Sequence, residues 1–357
     1  MQIQWFDISN TNIGGSNILL SLGDESHFGL GEIYVAAGVA RASLIQLMRE
    51  SACRLMNVDL RNINVALEAV SSATDHDINT GPLVHAALDV ALHDLNGKLR
   101  GCPVHTILGG CYRNEVILSQ SFRSGAAVSV ANSGAKAVLL DYHQEPLRQS
   151  TSFGPNSATG WLTAAMDQLG AAVQIDIDAK SAFDNPALAR AFIEGLLSGG
   201  PRLNLGLLQP LSDTDLVGHA TLCATLPIPV ILDSSVRSAK DMAQIVRLGA
   251  ADRIVVNVER VGGLRAAMQI VSIAEAASIG VSSASFCCTA IGAAAALHLA
   301  AVLHDTFPAR LDNLLADAGP IADAGFAVDA SVARVGSAPG LGVVLRDDAI
   351  AAFKPVA

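Results

Sequence analysis

The sequence has no long apolar run and no concentration of positive charge. Although 51% of its 357 residues are hydrophobic, no uninterrupted segment approaches the ~20 apolar residues that a membrane-spanning helix needs. Only 16% of the residues are charged, the net charge is -10, and basic runs interleaved with aromatic residues are missing. These absences argue against a membrane protein and against nucleic acid or an anionic membrane as a partner. The remaining interpretation is a well-packed globular protein that binds small molecules.

The cysteines and the N-terminus exclude two further classes. The six cysteines lack the spacing of a zinc site, because only Cys287 and Cys288 are neighbours, and they do not suggest a disulfide framework. The first residues, MQIQWFDISN, contain neither the basic nor the apolar segment of a secretory signal. We therefore expect a cytoplasmic protein.

The first hundred residues combine strands and helices. The segment from Asn17 to Ile33 predicts an antiparallel strand pair with Gly23 and Asp24 at the turn. Helical periodicity then runs from Ala40 to Leu55 and from Leu83 to Leu99. This part of the chain is therefore predicted to be α+β.

From Glu115 onward, short apolar strands alternate with amphipathic helices. The eight strand candidates read EVILSQSF, AKAVLLDYH, AVQIDIDA, LGLLQPL, PVILDSS, RIVVNVER, VSSASF and PARLDN. Helical stretches between them run from Pro186 to Leu197, Asp241 to Leu248, Leu264 to Ala277 and Ile291 to Leu303. Repetition of this length implies parallel strands, and hence a barrel with its active site at the C-terminal strand ends. We expect the Ser-, Gly- and Pro-rich loop from Glu145 to Gly160 to cover that end.

One strand candidate carries charges at every second position. In VQIDIDAKSAFD, residues 173–184, the charged residues are Asp176, Asp178 and Lys180. Side chains at i, i+2 and i+4 of a strand point to one face, and removing ions from water costs several kcal/mol unless they are paired. This face is therefore predicted to line a polar cavity. A purely structural network of ion pairs is the alternative interpretation.

Several sequence blocks, in order, resemble one enzyme group. They are GLGE (29–32), HAALDVALHDLNGKLRGCPVHTILGG (85–110), QPL (209–211), DSSV (233–236), VERVGGL (258–264), AEAASIGV (274–281) and APGLGV (338–343). Together they resemble the mandelate racemase/muconate lactonizing enzyme group of the enolase superfamily. The resemblance implies an α/β fold, a (β/α)7β TIM-like barrel with an α+β capping domain. We place the cap at residues 1–112, completed by 328–357, and the modified TIM barrel at 113–327.

The resemblance also implies positions for a metal site and for catalytic bases. Enzymes of this group remove the proton next to a carboxylate and hold Mg²⁺ on three acidic residues. Asp178 and Asp233 match two of these ligands, whereas Leu208 stands at the third, so the metal site is degenerate. The usual lysines of the second strand fall on Leu139 and Asp141, and that of the sixth strand falls on Asn257. The resemblance therefore predicts a site without the usual lysine bases.

Two sets of candidate site residues follow. The catalytic candidates are Asp141, His143, Lys180 and Cys288. The candidates for substrate binding are Asp176, Asn257, Arg310 and Asp312. A histidine titrates near neutral pH, and the planar fork of an arginine matches a carboxylate. A solvated loop start for Asp141 and His143, and a buried inert thiol for Cys288, are the alternatives.

We predict a divergent enzyme, an isomerase or lyase, that acts on a small carboxylate or a related polar molecule. Its reaction would be proton transfer, isomerisation or elimination without the usual Mg²⁺ and lysine chemistry. We expect no resident cofactor and at most weak Mg²⁺ binding, because Lys180 would neutralise Asp178 and Asp233 in place of the metal. We also expect a homo-oligomer, as is common for this architecture. The alternative is a non-catalytic barrel that serves as a binding or assembly subunit.

Overall fold

A computed structural model describes most of the chain. It covers residues 2–10, 15–24, 26–36, 39, 41–74, 80–123, 134–141, 160–169, 172–200, 204–285, 289–305, 307–311, 322–329, 331–347 and 354–355. Strands β1 to β8 span Gln2–Asn10, Gly15–Gly23, Phe28–Val35, Glu115–Ile117, Ser119–Arg123, Ala137–Asp141, Gln174–Asp178 and Leu205–Leu208. Strands β9 to β17 span Val230–Leu232, Arg253–Asn257, Gly280–Ser285, Arg310–Leu311, Ala322–Asp323, Phe326–Asp329, Val332–Val335, Val344–Leu345 and Lys354–Pro355.

The helices alternate with the barrel strands in the second half of the chain. Helices α1 to α6 span Arg41–Leu55, Ile63–Thr74, Gly81–Arg100, Val104–Ile107, Gly160–Leu169 and Pro186–Leu196. Helices α7 to α11 span Leu216–Thr225, Ala239–Leu248, Val258–Val261, Leu264–Ala276 and Ala290–Val302, and a 3-10 turn covers Leu197–Gly199. Within the described ranges, none of these helices combines the length and the apolar character that crossing a membrane requires.

The predicted barrel is confirmed. Strands β5 to β12 form one eight-stranded sheet in chain order, and each neighbouring pair is parallel. The first and last strands also lie in contact. The backbone N–H of Ser119 donates to the carbonyl of Ala309 at 2.9 Å beside this junction. The sheet is thus a nearly closed parallel barrel.

The capping domain is built on an antiparallel sheet and three helices. Strands β17, β1, β2 and β3 pair in that order, and the predicted pair from Asn17 to Ile33 lies within β2 and β3. Strand β3 packs closely on α3, because a Cβ on Gly29 or Gly31 would collide with the backbone at Ala91 or Ala87. The two glycines of the GLGE block therefore let a strand backbone touch a helix backbone.

Helix α3 connects the cap, the barrel and the C-terminal tail through two buried aspartates. Asp89 Oδ1 accepts the backbone N–H of Leu264 at 2.7 Å, at the start of a barrel helix. Asp94 accepts the backbone N–H of Leu30 at 2.8 Å and that of Leu341 at 2.7 Å. Both aspartates are 0% exposed. Their carboxylates thus join three parts of the chain that are far apart in sequence.

Some local predictions needed correction. The first strand candidate is two strands: β4 pairs with β15 of the tail, and only β5 enters the barrel. Helices α2, α5 and α7 and the short helices α4 and α9 were not predicted. Residues 145–159 of the predicted covering loop lie outside the described residues, and Gly160 already begins α5. The domain boundaries near residues 112 and 327 stay a prediction.

Candidate active site

Polar side chains stand one layer above an apolar floor inside the barrel. The floor consists of buried residues from five of the barrel strands: Leu139, Leu208, Ile231, Val255 and Ala284. In a parallel strand, the residue two positions further along points to the same side and lies about 6–7 Å closer to the C-terminal end. Asp141, Asp233 and Asn257 each lie two positions beyond a floor residue, so they form the next layer at the mouth.

Arg310 joins the two carboxylates that were predicted as metal ligands. Its Nη2 lies 3.5 Å from Asp178 Oδ2, and its Nη1 lies 3.5 Å from Asp233 Oδ2. The Arg310 side chain is only 6% exposed, so the attraction acts in a poorly hydrated environment. One planar guanidinium therefore bridges strands β7 and β9 from its position on β12.

Asp178 is less acidic than an ordinary aspartic acid, although Arg310 lies beside it. Burial raises the pKa of its carboxyl group to about 6, against the opposing effects of Arg310 and Lys180. The negative charges of Asp233 and Asp141 add to the increase. Asp178 is therefore a carboxylate that can accept and release a proton near neutral pH.

Lys180 turns toward the second barrel strand. Its Nζ lies 2.5 Å from Asp141 Oδ2, and its backbone N–H donates to Asp178 Oδ1 at 3.2 Å. The residue has φ 48°, and its neighbour Ser181 has φ 59°, a left-handed conformation that is costly for residues other than glycine. The alternation of β7 thus stops at Asp178, and a strained turn aims the ammonium group at Asp141.

The predicted role of Lys180 in neutralising Asp233 needs correction. The described ion-pair partners of Asp233 are Arg260 and Arg310. The Lys180 side chain is directed to Asp141 instead. Arg260 was not among the predicted site residues. It follows β10 in the short helix α9, where Asn257 Oδ1 accepts its backbone N–H at 2.8 Å. Asn257 therefore helps to hold the arginine that binds Asp233.

Asp176 lies deeper in the barrel than the predicted site. Its Oδ1 is 2.9 Å from Nη2 of Arg253, which begins β10 and stacks on the Phe307 ring at 4.8 Å. Gly206 makes room for this ion pair, since a Cβ there would collide with both charged groups. The same strand face thus carries two polar layers, and only Asp178 belongs to the upper one. Of the other predicted site residues, His143, Cys288 and Asp312 lie outside the described residues.

A second buried acidic cluster stands behind the mouth, between barrel and cap. Glu259 on α9 accepts a hydrogen bond from the hydroxyl of Ser285, and its Oε2 has no hydrogen-bond partner in the described structure. Burial raises the pKa of Glu259 to about 7, and the nearby carboxylate of Glu32 contributes to the increase. Sequence reasoning missed this residue, because a lone glutamate after a strand carries no spacing signal.

Glu32 is the last residue of the GLGE block on β3, and its carboxylate reaches the start of helix α11. Its Oε1 accepts the backbone N–H of Thr289 at 2.7 Å, and its Oε2 accepts that of Gly292 at 2.9 Å. The carboxylate thus caps the helix from the capping domain. Desolvation by burial raises the pKa of Glu32 above its ordinary value, although these hydrogen bonds oppose the rise.

The mouth does not fit the three-carboxylate Mg²⁺ site that the resemblance implies. Mg²⁺ requires near-octahedral oxygen ligands, but Leu208 at the third position is 1% exposed and packs in the apolar floor. Asp178 and Asp233 remain as two oxygen donors, yet both already contact Arg310. Among the described residues, no three histidine, cysteine or acidic side chains are grouped to hold a metal ion.

What the described mouth can do is bind an anion and move a proton. Arg310, Arg260 and Lys180 supply positive charge, and Asp178 supplies a base of suitable acidity. A carboxylate substrate at this mouth would contact both the cations and the base.

The sequence matches two parts of one family. Residues 122–349 match the enolase C-terminal domain-like family, and residues 10–109 match the mandelate racemase / muconate lactonizing enzyme N-terminal domain. The muconate cycloisomerase 1 of Rhodococcus opacus is 31% identical over 215 residues, which cover 60% of this chain and 57% of that protein. An N-succinyl-L-Arg/Lys racemase of Bacillus cereus is 23% identical over 289 residues, covering 80% and 75% of the two chains.

The fold agrees with this assignment. The crystal structure of muconate cycloisomerase from Pseudomonas fluorescens superposes with a TM-score of 0.84 at 24% identity, covering 99% of this chain and 98% of that one. These similar proteins place the chain beside enzymes of the isomerase type. The chain therefore belongs to the mandelate racemase/muconate lactonizing enzyme group of the enolase superfamily.

Proposed function

We propose that this protein is an isomerase-type enzyme that moves a proton at the carbon next to a carboxylate in a small molecule. The proposal extends to a mechanism without the group's usual Mg²⁺ and lysine bases. The observation that carries it is Asp178, a buried carboxylate whose pKa is about 6 and whose neighbours Arg310 and Lys180 are cations.

In the proposed step, the carboxylate of Asp178 removes the proton from the substrate carbon. The electron pair of the broken C–H bond moves into the substrate carboxylate, which becomes an enediolate with one additional negative charge. Arg310 and Lys180 stabilise that charge through charge-assisted hydrogen bonds. Return of the proton from Asp178 to the same carbon gives isotope exchange only, whereas delivery of a proton from the Lys180 ammonium group, which is paired with Asp141, completes the isomerisation. Asp178 then releases its proton to water and Lys180 takes one up from water, which restores both groups.

The backbone at the mouth supports a functional site over an inert remnant. Lys180, Ser181 and Gln209 all have positive φ, at 48°, 59° and 41°. Conformations of this kind cost roughly 1–3 kcal/mol per residue and persist where the surroundings enforce them, commonly at active sites. The strain lies where β7 and β8 end and where the proposed proton carriers stand.

The experiment is hydrogen–deuterium exchange at substrate carbon, followed by ¹H NMR in D₂O. A panel of N-acylamino acids, dipeptides and unsaturated dicarboxylates covers the substrate types in the names of the relatives. We expect exchange with at least one class, at a rate that rises with pH through about 6 as Asp178 loses its proton. Asp178→Asn should lower the rate by roughly 10²–10⁴-fold.

The matched control is Glu194→Gln, which also replaces a carboxylate by an amide. Glu194 is an exposed partner of Arg190 on α6, outside the barrel. The exchange rate of the Glu194→Gln variant should equal that of the unaltered protein. Absence of exchange with every compound, together with no thermal stabilisation by any of them, would favour the non-catalytic alternative.

A further inference from the structure

The cation that Asp178 and Asp233 bind is part of the chain itself. Arg310 places one guanidinium nitrogen 3.5 Å from an oxygen of each carboxylate. The two carboxylates are 10% and 14% exposed, and the arginine is 6% exposed, so all three groups are largely removed from water. A metal ion coordinated by both carboxylates would have to displace the guanidinium.

The third side of this arrangement is apolar. Leu208 ends β8 between the two aspartate strands, and its side chain packs with Ile231 and Leu139. Its backbone carbonyl is also engaged, since it accepts the N–H of Ala179 at 3.0 Å. The floor therefore supplies hydrophobic contact where a divalent ion would need an oxygen.

The local charge balance points the same way. Within the described part of the mouth, three carboxylates face three cations: Asp141 pairs with Lys180, Asp178 with Arg310, and Asp233 with both Arg310 and Arg260. Adding a divalent ion would leave two uncompensated positive charges in a poorly hydrated space. The cost of that excess disfavours binding of a divalent cation.

We propose that Arg310 permanently takes the place of the divalent cation, so that the site binds a substrate carboxylate on its guanidinium and does not require Mg²⁺. This inference rests on the proposed function for the identity of the substrate group, but its statement about metal binding does not. A guanidinium offers paired donors in one plane, whereas an ion offers free coordination positions. The site should therefore bind one planar carboxylate group better than it binds a substrate that offers two oxygens from different groups to a metal ion.

The first test measures metal binding without any substrate. The purified protein is titrated with MgCl₂ and with MnCl₂ by isothermal titration calorimetry, and its melting temperature is recorded over the same range. We expect neither binding heat nor stabilisation up to about 1 mM metal. Binding of either ion well below that concentration would overturn the inference, whatever the enzyme activity.

The second test restores the missing ligand and removes the built-in cation. In the double variant Leu208→Glu with Arg310→Ala, three carboxylates face the space that the guanidinium of Arg310 occupied, and Mn²⁺ should bind roughly tenfold or more tightly than in the unaltered protein. Arg334→Ala is the control, because Arg334 is an exposed arginine paired with Glu115 far from the mouth. A double variant that folds by circular dichroism but gains no Mn²⁺ binding would contradict the assignment.

A third measurement remains useful if the double variant does not fold. Arg310→Lys keeps the charge but loses the planar fork, and exchange in the presence of EDTA should persist in the unaltered protein and fall sharply in this variant. Exchange that EDTA abolishes in the unaltered protein would refute the replacement of the metal while leaving proton transfer established. Exchange that is absent under all conditions would refute the proposed function instead, and the metal titration would still decide the inference.

Discussion

Replacing the buried carboxyl group of Glu259 by an amide should make the protein more stable at alkaline pH. Glu259→Gln preserves the shape of the side chain, and the hydroxyl of Ser285 can still donate to Oε1. Since Oε2 of Glu259 has no hydrogen-bond partner in the described structure, the new amide nitrogen replaces a group that already lacked one. The variant therefore removes a titration with little change in packing.

The size of the effect follows from the acidity of Glu259. Its pKa rises from 4.5 to about 7 on folding, first because of burial and then because of Glu32. A tenfold change in proton affinity corresponds to about 1.4 kcal/mol, so the difference amounts to about 3 kcal/mol of unfolding free energy.

The sign of the pH dependence follows from the same two values. Below pH 4.5 both the folded and the unfolded states hold the proton of Glu259. Between pH 4.5 and about 7 the unfolded state releases it while the folded state retains it, so the unfolding free energy of the unaltered protein falls. Above about pH 7 the loss is complete. Glu259→Gln should therefore match the unaltered protein near pH 4.5 and exceed its stability by about 3 kcal/mol at pH 8.

Urea denaturation followed by far-ultraviolet circular dichroism, at several pH values from 5 to 8, measures this difference. Glu194→Gln, with its exposed side chain, serves as the control and should change nothing at any pH. The hydrogen bond from Ser285 lowers the pKa of Glu259 in the native protein, so Ser285→Ala should raise that pKa further. The unfolding free energy of this variant should therefore fall by more between pH 5 and pH 8. A Glu259→Gln variant whose offset from the unaltered protein is the same at pH 5 and pH 8 would refute the reasoning.

Two further predictions concern buried charges that hold the fold. Arg253→Met leaves Asp176 as an unpaired charge inside the barrel and should lower the unfolding free energy by roughly 3–5 kcal/mol in urea denaturation, whereas exposed Arg334→Met should change it little. Asp89→Asn weakens the bonds to the N–H groups of Leu264 and Arg265 and should cost roughly 2 kcal/mol, with earlier proteolysis between cap and barrel. Equal stability of either variant and the unaltered protein would contradict the corresponding prediction.

The order of the barrel strands could be predicted from sequence because each strand is a short apolar run between helical patterns. The strand pattern also put Asp178 on the polar face of its strand, the family resemblance singled out Asp233 and Arg310, and the structure brings these three together. Family resemblance added the cap. Such patterns can be read from sequence because apolar residues recur at a regular spacing wherever one face of a helix or strand is buried.

Contacts outside the strands could not be predicted in this way. The period-two rule correctly puts Asp176 and Asp178 on one face, but a rise of about 3.3 Å per residue separates them into different layers. The rule fails for Lys180, since its φ of 48° ends the extended conformation. Arg260 and Glu259 lie in a short helix after β10, where one turn of backbone decides that the first contacts Asp233 and the second contacts Ser285.

The two aspartates of helix α3 have a consequence for the order in which the protein can fold. During synthesis, the segment that contains Asp94 is complete long before Leu341, whose N–H its carboxylate accepts in the native state. Until then, the carboxylate has the N–H of Leu30 and the ammonium group of Lys98, but not its most distant partner. Burial of a partly satisfied carboxylate is costly, so the cap should not reach its final packing before Leu341 is available. Completion of the cap therefore waits for the segment that contains Leu341.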